Sequence, residues 1–239
     1  MPQLPSYTDF LICGAGPAGT ATALSLLDGG VAAERIVIVD RKALPRDKLC
    51  GGGLTSRAWE RLDRWGVCPL TALDAQAIHL AVEGRGQRLA EPGRLATVDR
   101  RELDHRMLQR VTAAGTRFVV AQVLGQQRES GGWKVDTSQG TIRCAYLVGA
   151  DGYASQVRRT LGGKRRKPGR LLEVCLRSST PIEPVLEMDF SPALKGVAGY
   201  LWRFPYYRDG DGELRVKYGI MDRSGEVPAL HLRALLQQY

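Results

Sequence analysis

Short apolar runs alternate with a helical pattern over the first forty residues. Residues 9–13 form an apolar run that ends at a glycine, and residues 35–39 form another, so both predict buried strands. Between them, residues 17–27 are rich in alanine and leucine, begin with proline and precede two glycines, which predicts a helix. The order strand–helix–strand predicts a parallel β-α-β unit.

The remainder of the chain predicts mostly strands. Helices are expected over 55–65 and 99–114, where Asp99 and Glu102 form a capping-box pattern, and another helix begins at 228. Alternating apolar positions and glycine-rich turns predict the strands, with an antiparallel meander over 117–143. The expected strands are 77–83, 87–90, 117–128, 133–137, 141–143, 146–150, 173–177, 185–190, 199–204 and 213–221.

A glycine loop joins the first predicted strand to the first helix. The segment Gly14-Ala15-Gly16-Pro17-Ala18-Gly19 fits the pattern G-x-G-x-x-G, and Asp40 ends the next strand. The glycines permit a tight turn, close approach of a pyrophosphate to the helix N-terminus, and close helix–strand packing. The acid can accept hydrogen bonds from ribose hydroxyls. Dinucleotide binding is therefore predicted, with a ligand-free turn as the alternative.

Composition narrows the class of protein. The chain has 239 residues, and 34 basic against 25 acidic residues give a net charge of +9. This charge suits a nucleic acid, an anionic membrane surface or an acidic small ligand. Five scattered cysteines argue against a disulfide scaffold, and the three histidines show no metal-site spacing. With no long apolar run and no signal-peptide pattern, a cytoplasmic location is expected, with peripheral membrane contact as an alternative.

Two later segments indicate which dinucleotide is bound. Gly149-Ala150-Asp151-Gly152, followed by Ser155 and Arg158, resembles the G-A-D-G-x-x-S-x-V-R segment of flavoproteins with the p-hydroxybenzoate hydroxylase fold. Arg100, with Leu103 and Asp104, is similar to the R-x-x-L-D stretch of the same family. The resemblance implies FAD as the cofactor.

Two further motifs indicate a subfamily. Pro45-Arg46-Asp47-Lys48-Leu49-Cys50-Gly51-Gly52 resembles the P-R-x-K-x-C-G-G segment of the geranylgeranyl reductase family, whose members saturate isoprenoid double bonds. Tyr200-Leu201-Trp202-Arg203-Phe204-Pro205 looks like that family's Y-x-W-x-F-P substrate motif, although Val197 stands where the longer motif has proline.

The resemblance implies a set of site residues and an activity. Reduced FAD would reduce a C=C bond of an apolar or isoprenoid substrate, with NAD(P)H or another reductant as the electron donor. Cys50 is a candidate catalytic thiol, and Tyr200, Trp202, Phe204 and Pro205 are expected to line the substrate site. The expected cofactor-binding residues are Gly14, Gly16, Ala18, Gly19, Asp40, Arg41, Arg46, Lys48, Cys50, Gly51, Gly52, Arg100, Asp151 and Gly152.

Each of these motifs also has a simpler interpretation. Free cysteines such as Cys50 are most often small buried apolar residues, and the spacing of Tyr200, Trp202 and Phe204 suits one face of a core strand. The motif at 199–205 also resembles a halogenase segment, in which tryptophan and isoleucine replace Tyr200 and Phe204. An aromatic hydroxylase, a halogenase or a non-catalytic nucleotide-binding remnant are therefore the alternatives.

The expected architecture is of the α/β class, α+β overall. A Rossmann-like FAD-binding domain over 1–76 and 98–163 is interleaved with a mainly antiparallel substrate domain over 77–97 and 164–239. The basic stretch 158–170 is interpreted as a solvated loop, with a lipid headgroup or diphosphate site as the alternative, and no nucleic-acid motif accompanies it. The family's downstream glycine–aspartate segment has no match before Tyr239, which predicts a truncated or shortened member.

Overall fold

The computed structural model describes residues 3–90, 93–163 and 168–239 as a mixed α/β structure. Its strands are β1 (Tyr7–Cys13), β2 (Ile36–Asp40), β3 (Gly53–Leu54), β4 (Leu73–Asp74), β5 (Ala77–Val82), β6 (Arg85–Leu89), β7 (Ala96–Thr97), β8 (Arg117–Val120), β9 (Val123–Glu129), β10 (Gly132–Thr137), β11 (Gly140–Gly149), β12 (Arg170–Arg177), β13 (Val185–Asp189), β14 (Leu201–Tyr207) and β15 (Leu214–Asp222). Its α-helices are α1 (Pro17–Asp28), α2 (Ser56–Arg64), α3 (Arg100–Ala113), α4 (Gln156–Thr160) and α5 (Ala229–Gln238).

The chain divides into two compact units, each made of two segments. The first unit comprises Met1–Arg46 with Asp104–Arg165, and the second comprises Asp47–Leu103 with Arg166–Tyr239. These bounds differ from the predicted domains, because residues 47–76 and 98–103 group with the second unit. The assignment of those two segments to cofactor binding remains a prediction.

The first unit contains a six-stranded sheet in the order β8-β2-β1-β11-β10-β9. Strands β8, β2, β1 and β11 are parallel, whereas β11, β10 and β9 are antiparallel. Every residue of β2 is buried, as expected for a parallel strand with both faces covered. The structure confirms the predicted β-α-β unit as β1, α1 and β2.

Two predictions for this sheet were wrong. The single strand expected over 117–128 is two strands, because the Ala121 N–H bonds to the Asp40 carbonyl (2.8 Å) and the Gln122 N–H bonds to Ser138 Oγ (3.0 Å). Strand β8 therefore pairs with β2, and strand β9 pairs with β10. Conversely, the two strands expected over 141–143 and 146–150 are one, since β11 pairs with β10 along its first half and with β1 along its second.

The second unit contains a six-stranded sheet in the order β12-β15-β14-β13-β5-β6. All neighbours are antiparallel except β13 and β5, which confirms the expected mainly antiparallel sheet. Strand β6 begins at Arg85, two residues before the predicted start, because the turn occupies Glu83 and Gly84, both at positive φ. A small sheet of β3, β7 and β4 completes the unit.

Helix α5 covers one face of this larger sheet. Its Leu232 and Leu235 form a buried cluster with Leu201 of β14, Ile220 of β15 and Val197. The opposite face of β14 is therefore the one on which Trp202 and Phe204 lie, because side chains alternate along a strand. No helix in the described part of the chain is both long and apolar enough to cross a bilayer.

The basic stretch at 158–170 is described only in part. Arg158 and Arg159 belong to α4, and Arg170 begins β12. The expected roles of Lys164, Arg165, Arg166 and Lys167 concern residues that lie outside the described ones. A solvated loop or an anion site at this stretch therefore remains a prediction.

Candidate functional site

The first candidate site lies at the carboxyl ends of three parallel strands in the first unit. The Gly14–Gly19 loop follows β1, Asp40 ends β2, and Asp151 follows β11. Strands β2 and β11 flank β1 on opposite sides, so the strand order reverses at β1. Ligands of open α/β sheets bind at such a switch point. We call these residues, with Gly152, the nucleotide cluster.

The three motif glycines have different reasons to be glycine. Gly14 has φ +115°, and a Cβ there would overlap the Ala150 carbonyl. A Cβ on Gly19 would overlap the Gly14 carbonyl. By contrast, a Cβ on Gly16 would meet nothing within 4 Å, so the protein's own packing does not require glycine there. The free space at Gly16 is where a ligand can approach the backbone.

The N-terminus of α1 is ready to bind an anion. Gly16 is its N-cap residue, and no side chain caps the helix there. Ala18, in the first turn, is exposed. Because first-turn N–H groups have no intrahelical acceptors, they provide donors and a favourable dipole for a phosphate.

Asp40 is held by both backbone and side-chain donors. Its Oδ2 accepts from the Ala15 N–H (2.9 Å), its Oδ1 accepts from the Lys42 N–H (3.0 Å), and Arg46 bonds to both oxygens (2.9 and 2.7 Å). Burial raises the pKa of this carboxyl, but these hydrogen bonds outweigh it and hold the pKa below its ordinary value.

The Arg46 contact changes the expected role of both residues. A carboxylate has about four acceptor sites, and the four hydrogen bonds to Asp40 use them. In this structure Arg46 neutralises Asp40, and its expected contact with a phosphate or the reduced flavin remains a prediction. Contact between a ribose hydroxyl and this carboxylate therefore requires displacement of the guanidinium. The neighbouring Arg41 is exposed.

Asp151 provides an oxygen that a ligand can use. Its Oδ2 accepts from the Gln156 N–H (2.6 Å) at the start of α4, where Ser155 Oγ accepts from the Arg158 N–H (3.0 Å). Its Oδ1 is buried and has no hydrogen-bond partner within the described ranges. A buried carboxylate oxygen is costly without a donor, so a ligand hydroxyl or N–H suits this position. The nucleotide cluster fits a dinucleotide such as FAD.

The second candidate site lies in the second unit, where the two family motifs pack together. A Cβ on Gly51 would lie 2.6 Å from Phe204 Cδ2 and 3.3 Å from Trp202 Cδ1, and one on Gly53 would lie 3.2 Å from Phe204 Cε2. Gly52 has φ +83° and abuts the Val98 carbonyl. The glycines thus let the Cys50–Gly53 segment lie directly on the aromatic face of β14.

Sequence reasoning missed four residues on the same sheet face, which are Tyr206 of β14, Lys217, Gly219 and Glu173. Lys217 pairs with Phe204 across β14 and β15, and Gly219 pairs with Trp202. Glu173 of β12 pairs with Gly219 from the other side. A Cβ on Gly219 would overlap the Trp202 indole, so this glycine makes room for the ring. We call Cys50–Gly53, Trp202, Phe204, Tyr206, Lys217, Gly219 and Glu173 the aromatic-face cluster.

Two opposite charges hold the backbone of Cys50. Lys217 is 3% exposed, and its Nζ donates to the Cys50 carbonyl (3.0 Å) and lies 4.1 Å from the centre of the Tyr206 ring. Glu173 Oε1 accepts from the Cys50 N–H (3.4 Å). Burial lowers the pKa of Lys217 and raises the pKa of Glu173, and the attraction between the two charges opposes both shifts.

Other predicted residues take different positions in the second unit. Tyr200 is half-buried and meets Trp202 edge-on, with ring centres 6.2 Å apart. The alternation along β14 places Pro205 on the face opposite Trp202 and Phe204, and its carbonyl accepts from Thr97 Oγ. Lys48 is exposed, and Arg100 begins α3.

The fold and the nucleotide cluster together define a dinucleotide-binding α/β protein. A family described as "FAD binding domain" matches residues 7–188, and the chain belongs to this family. This result confirms the predicted family, fold class and cofactor.

Relatives and solved structures agree with this family. A menaquinone reductase of Mycolicibacterium smegmatis is 31% identical over 97% of this chain and 59% of its own length. A digeranylgeranylglycerophospholipid reductase of Methanopyrus kandleri is 27% identical over 91% of this chain and 56% of its own. A geranylgeranyl bacteriochlorophyll reductase-like structure from Thermoplasma acidophilum has a TM-score of 0.76 and 19% identity, covering 98% of this chain and 61% of that one. The chain thus spans about three fifths of its relatives' length.

Proposed function

We propose that this chain is the cofactor- and substrate-recognition part of an FAD-dependent oxidoreductase that reduces a C=C bond in an apolar, isoprenoid-like substrate. NAD(P)H or another reductant supplies the electrons. The reductase names of the two relatives, one for a quinone and one for an isoprenoid lipid, support this substrate class. Bound FAD, when reduced, supplies a hydride.

The residues of the nucleotide cluster bind and orient the cofactor in this proposal. The uncapped N-terminus of α1, beside the open space at Gly16, binds the pyrophosphate. Asp151 Oδ1 accepts a hydrogen bond from a cofactor hydroxyl or N–H. Arg46 leaves Asp40 to contact a phosphate, which frees the carboxylate for the ribose.

The observation that carries the proposal is the packing of the two family motifs on each other. Gly51 and Gly53 lie against Phe204, and Trp202 meets Tyr200 edge-on. Glycines at this place let the backbone pass directly over the Phe204 ring, and the aromatic side chains exclude water from an apolar substrate. The packing of glycines against aromatic rings suits an apolar ligand, such as a flavin ring or an isoprenoid chain, better than a polar one.

Cys50 is the proposed reactive thiol of this site. The residue is half-buried, and the cluster holds its two backbone polar atoms. If the thiol takes part in the reaction, Cys50→Ala will lower turnover while leaving FAD content unchanged. Cys68→Ala, which removes an exposed thiol, is the matched control. Unchanged turnover in Cys50→Ala contradicts a role for the thiol.

The proposal is tested by reconstitution with FAD followed by anaerobic turnover. We expect a yellow protein with absorbance near ~450 nm that saturates an isoprenoid-containing quinone or lipid without O₂. A colourless protein after incubation with FAD would contradict the assignment of FAD as the cofactor. Activity that appears only with O₂ would favour the alternative, a flavin-dependent hydroxylase or halogenase. Solved halogenases share this fold, so the fold does not separate the two.

A further inference from the structure

The aromatic-face cluster contains one buried and one half-buried charged group that the proposed chemistry does not use. Lys217 and Glu173 come from neighbouring strands, β15 and β12, and both contact Cys50. A lysine that is 3% exposed in a sheet needs a specific reason, because its charge loses hydration there.

These contacts have an unusual arrangement. Lys217 donates to the carbonyl of Cys50 at 3.0 Å, and Glu173 accepts from the N–H of the same residue at 3.4 Å. The cationic Lys217 thus binds the carbonyl of Cys50, and the anionic Glu173 binds the N–H of the same residue. Hydrogen bonds to charged groups are stronger than neutral ones, so this pair restrains the backbone on both sides of Cα.

The position of Lys217 is itself restrained. Its Nζ lies 4.1 Å from the centre of the Tyr206 ring, which gives a cation–π contact away from water. A Cβ on Gly52 would lie 3.3 Å from the same nitrogen, so the segment passes close over the ammonium group. The lysine therefore cannot move without releasing the segment.

We propose that Lys217 and Glu173 are positioning residues that set the conformation of the Cys50–Gly53 segment by holding the two polar backbone atoms of Cys50. The pair fixes the distance of Gly51 and Gly53 from Phe204, and with it the shape of the surface that a flat ring would meet. This inference rests on the proposed function only for the identity of the ring. The restraint on the segment is a property of the chain itself.

Hydrogen exchange of the 239-residue chain tests the restraint directly. In Lys217→Met, we expect amides of residues 49–54 to exchange about tenfold faster or more, since a hydrogen bond to a charged group is lost. Lys195→Met, which removes an exposed lysine of the same unit, should leave these amides unchanged. Lys217→Arg keeps a donor and should restore most of the protection.

A second variant separates the restraint from general stability. Glu173→Gln keeps the shape of the side chain and removes its charge, so it should speed exchange at 49–54 without lowering the thermal midpoint as much as Lys217→Met does. Unchanged exchange at 49–54 in a folded Lys217→Met or Glu173→Gln variant overturns the proposal. So does equal acceleration across the whole second unit in both variants.

FAD binding provides an independent readout. If the segment meets the flavin, FAD should slow exchange at 49–54 in the wild type, and Lys217→Met should shift the flavin absorption band. A wild type that binds no FAD contradicts the proposed function. The exchange comparison between ligand-free variants then still decides whether Lys217 and Glu173 restrain the segment.

Discussion

The nucleotide cluster and the aromatic-face cluster are built in opposite ways. In the first, Ala15 and its partner Asp40 are 25 residues apart, and the loop conformation is set by backbone packing at Gly14 and Gly19. In the second, Cys50 is held by Glu173 and Lys217, which lie 123 and 167 residues away. The first cluster has a local backbone core, to which the pairing of β1 with β11 adds Asp151 and Gly152, whereas the second is assembled by strand register.

This difference sets what each cluster tolerates. A Cβ at Gly14 or Gly19 would overlap backbone atoms, and a rotamer change cannot relieve such an overlap. The Cys50–Gly53 segment is held mainly through side chains, which can be exchanged individually. We therefore expect substitutions in the first cluster to act on folding or on binding, but rarely on both, and substitutions in the second to act on both together.

The largest expected effect separates two glycines of the same loop. Gly19→Ala places a methyl group on the Gly14 carbonyl and should cost about 3 kcal/mol or more of unfolding free energy. Gly16→Ala meets open space at an ordinary φ of −76° and should change stability by less than about 1 kcal/mol. Urea unfolding followed by circular dichroism measures both values.

The same pair of variants separates packing from ligand binding. Gly16→Ala should weaken FAD binding by about tenfold or more, equal to about 1.4 kcal/mol, because the methyl group fills the space that a pyrophosphate would use. Titration with FAD, followed by flavin fluorescence, measures this change. Full FAD affinity in Gly16→Ala would place the pyrophosphate elsewhere.

An intermediate effect is expected in the aromatic-face cluster. Gly219→Ala should displace the Trp202 indole and destabilise the protein by about 1–3 kcal/mol, because the added methyl group would overlap the ring. Substrate turnover should fall as well, since the indole lies beside the Cys50–Gly53 segment. Urea unfolding measures the loss of stability, and steady-state kinetics, with kcat and KM, measure the fall in turnover.

A strand glycine of the first unit is the matched control for this prediction. Gly125→Ala in β9 meets nothing within 4 Å, so it should change unfolding free energy by less than about 1 kcal/mol. Equal losses in Gly125→Ala and Gly219→Ala would mean that Trp202 packing is not the cause.

The nucleotide cluster was predictable because its signals are contiguous. The G-x-G-x-x-G pattern lies between an apolar run and an alanine-rich helix, and Asp40 closes the next apolar run. What the pattern does not contain is the side-chain pairing of Arg46 with Asp40, which depends on where the chain after β2 turns. The motif therefore predicts the conformation of the loop, but it does not predict whether the Asp40 carboxylate is paired with a cation.

The aromatic-face cluster was predictable only at Cys50–Gly53 and at residues 200–205. Lys217 and Gly219 share no motif with them, and only the register of β14 with β15 places them opposite Phe204 and Trp202. The alternation of Leu214, Val216 and Ile220 predicts one apolar face of this strand and places Lys217 on the other face. The pattern therefore predicts a solvent-exposed lysine, and its burial could not be read from the sequence.

The smallest expected effect is a pH dependence that comes from Asp40. Hydrogen bonds hold its folded-state pKa below the ordinary value of 3.8, so its contribution to stability is complete above that value and is lost as pH falls through the folded-state pKa. The difference in unfolding free energy between wild type and Asp40→Asn should therefore stay constant from pH 7 to about pH 5 and shrink below about pH 4. Arg46→Met removes the strongest donor and raises the folded-state pKa, so the total loss should be smaller and should be complete at a higher pH. Glu34→Gln, which alters an exposed carboxylate of the same unit, should leave the profile unchanged. A difference that grows as pH falls would mean that the folded state favours the protonated carboxyl, which contradicts the Arg46 contact.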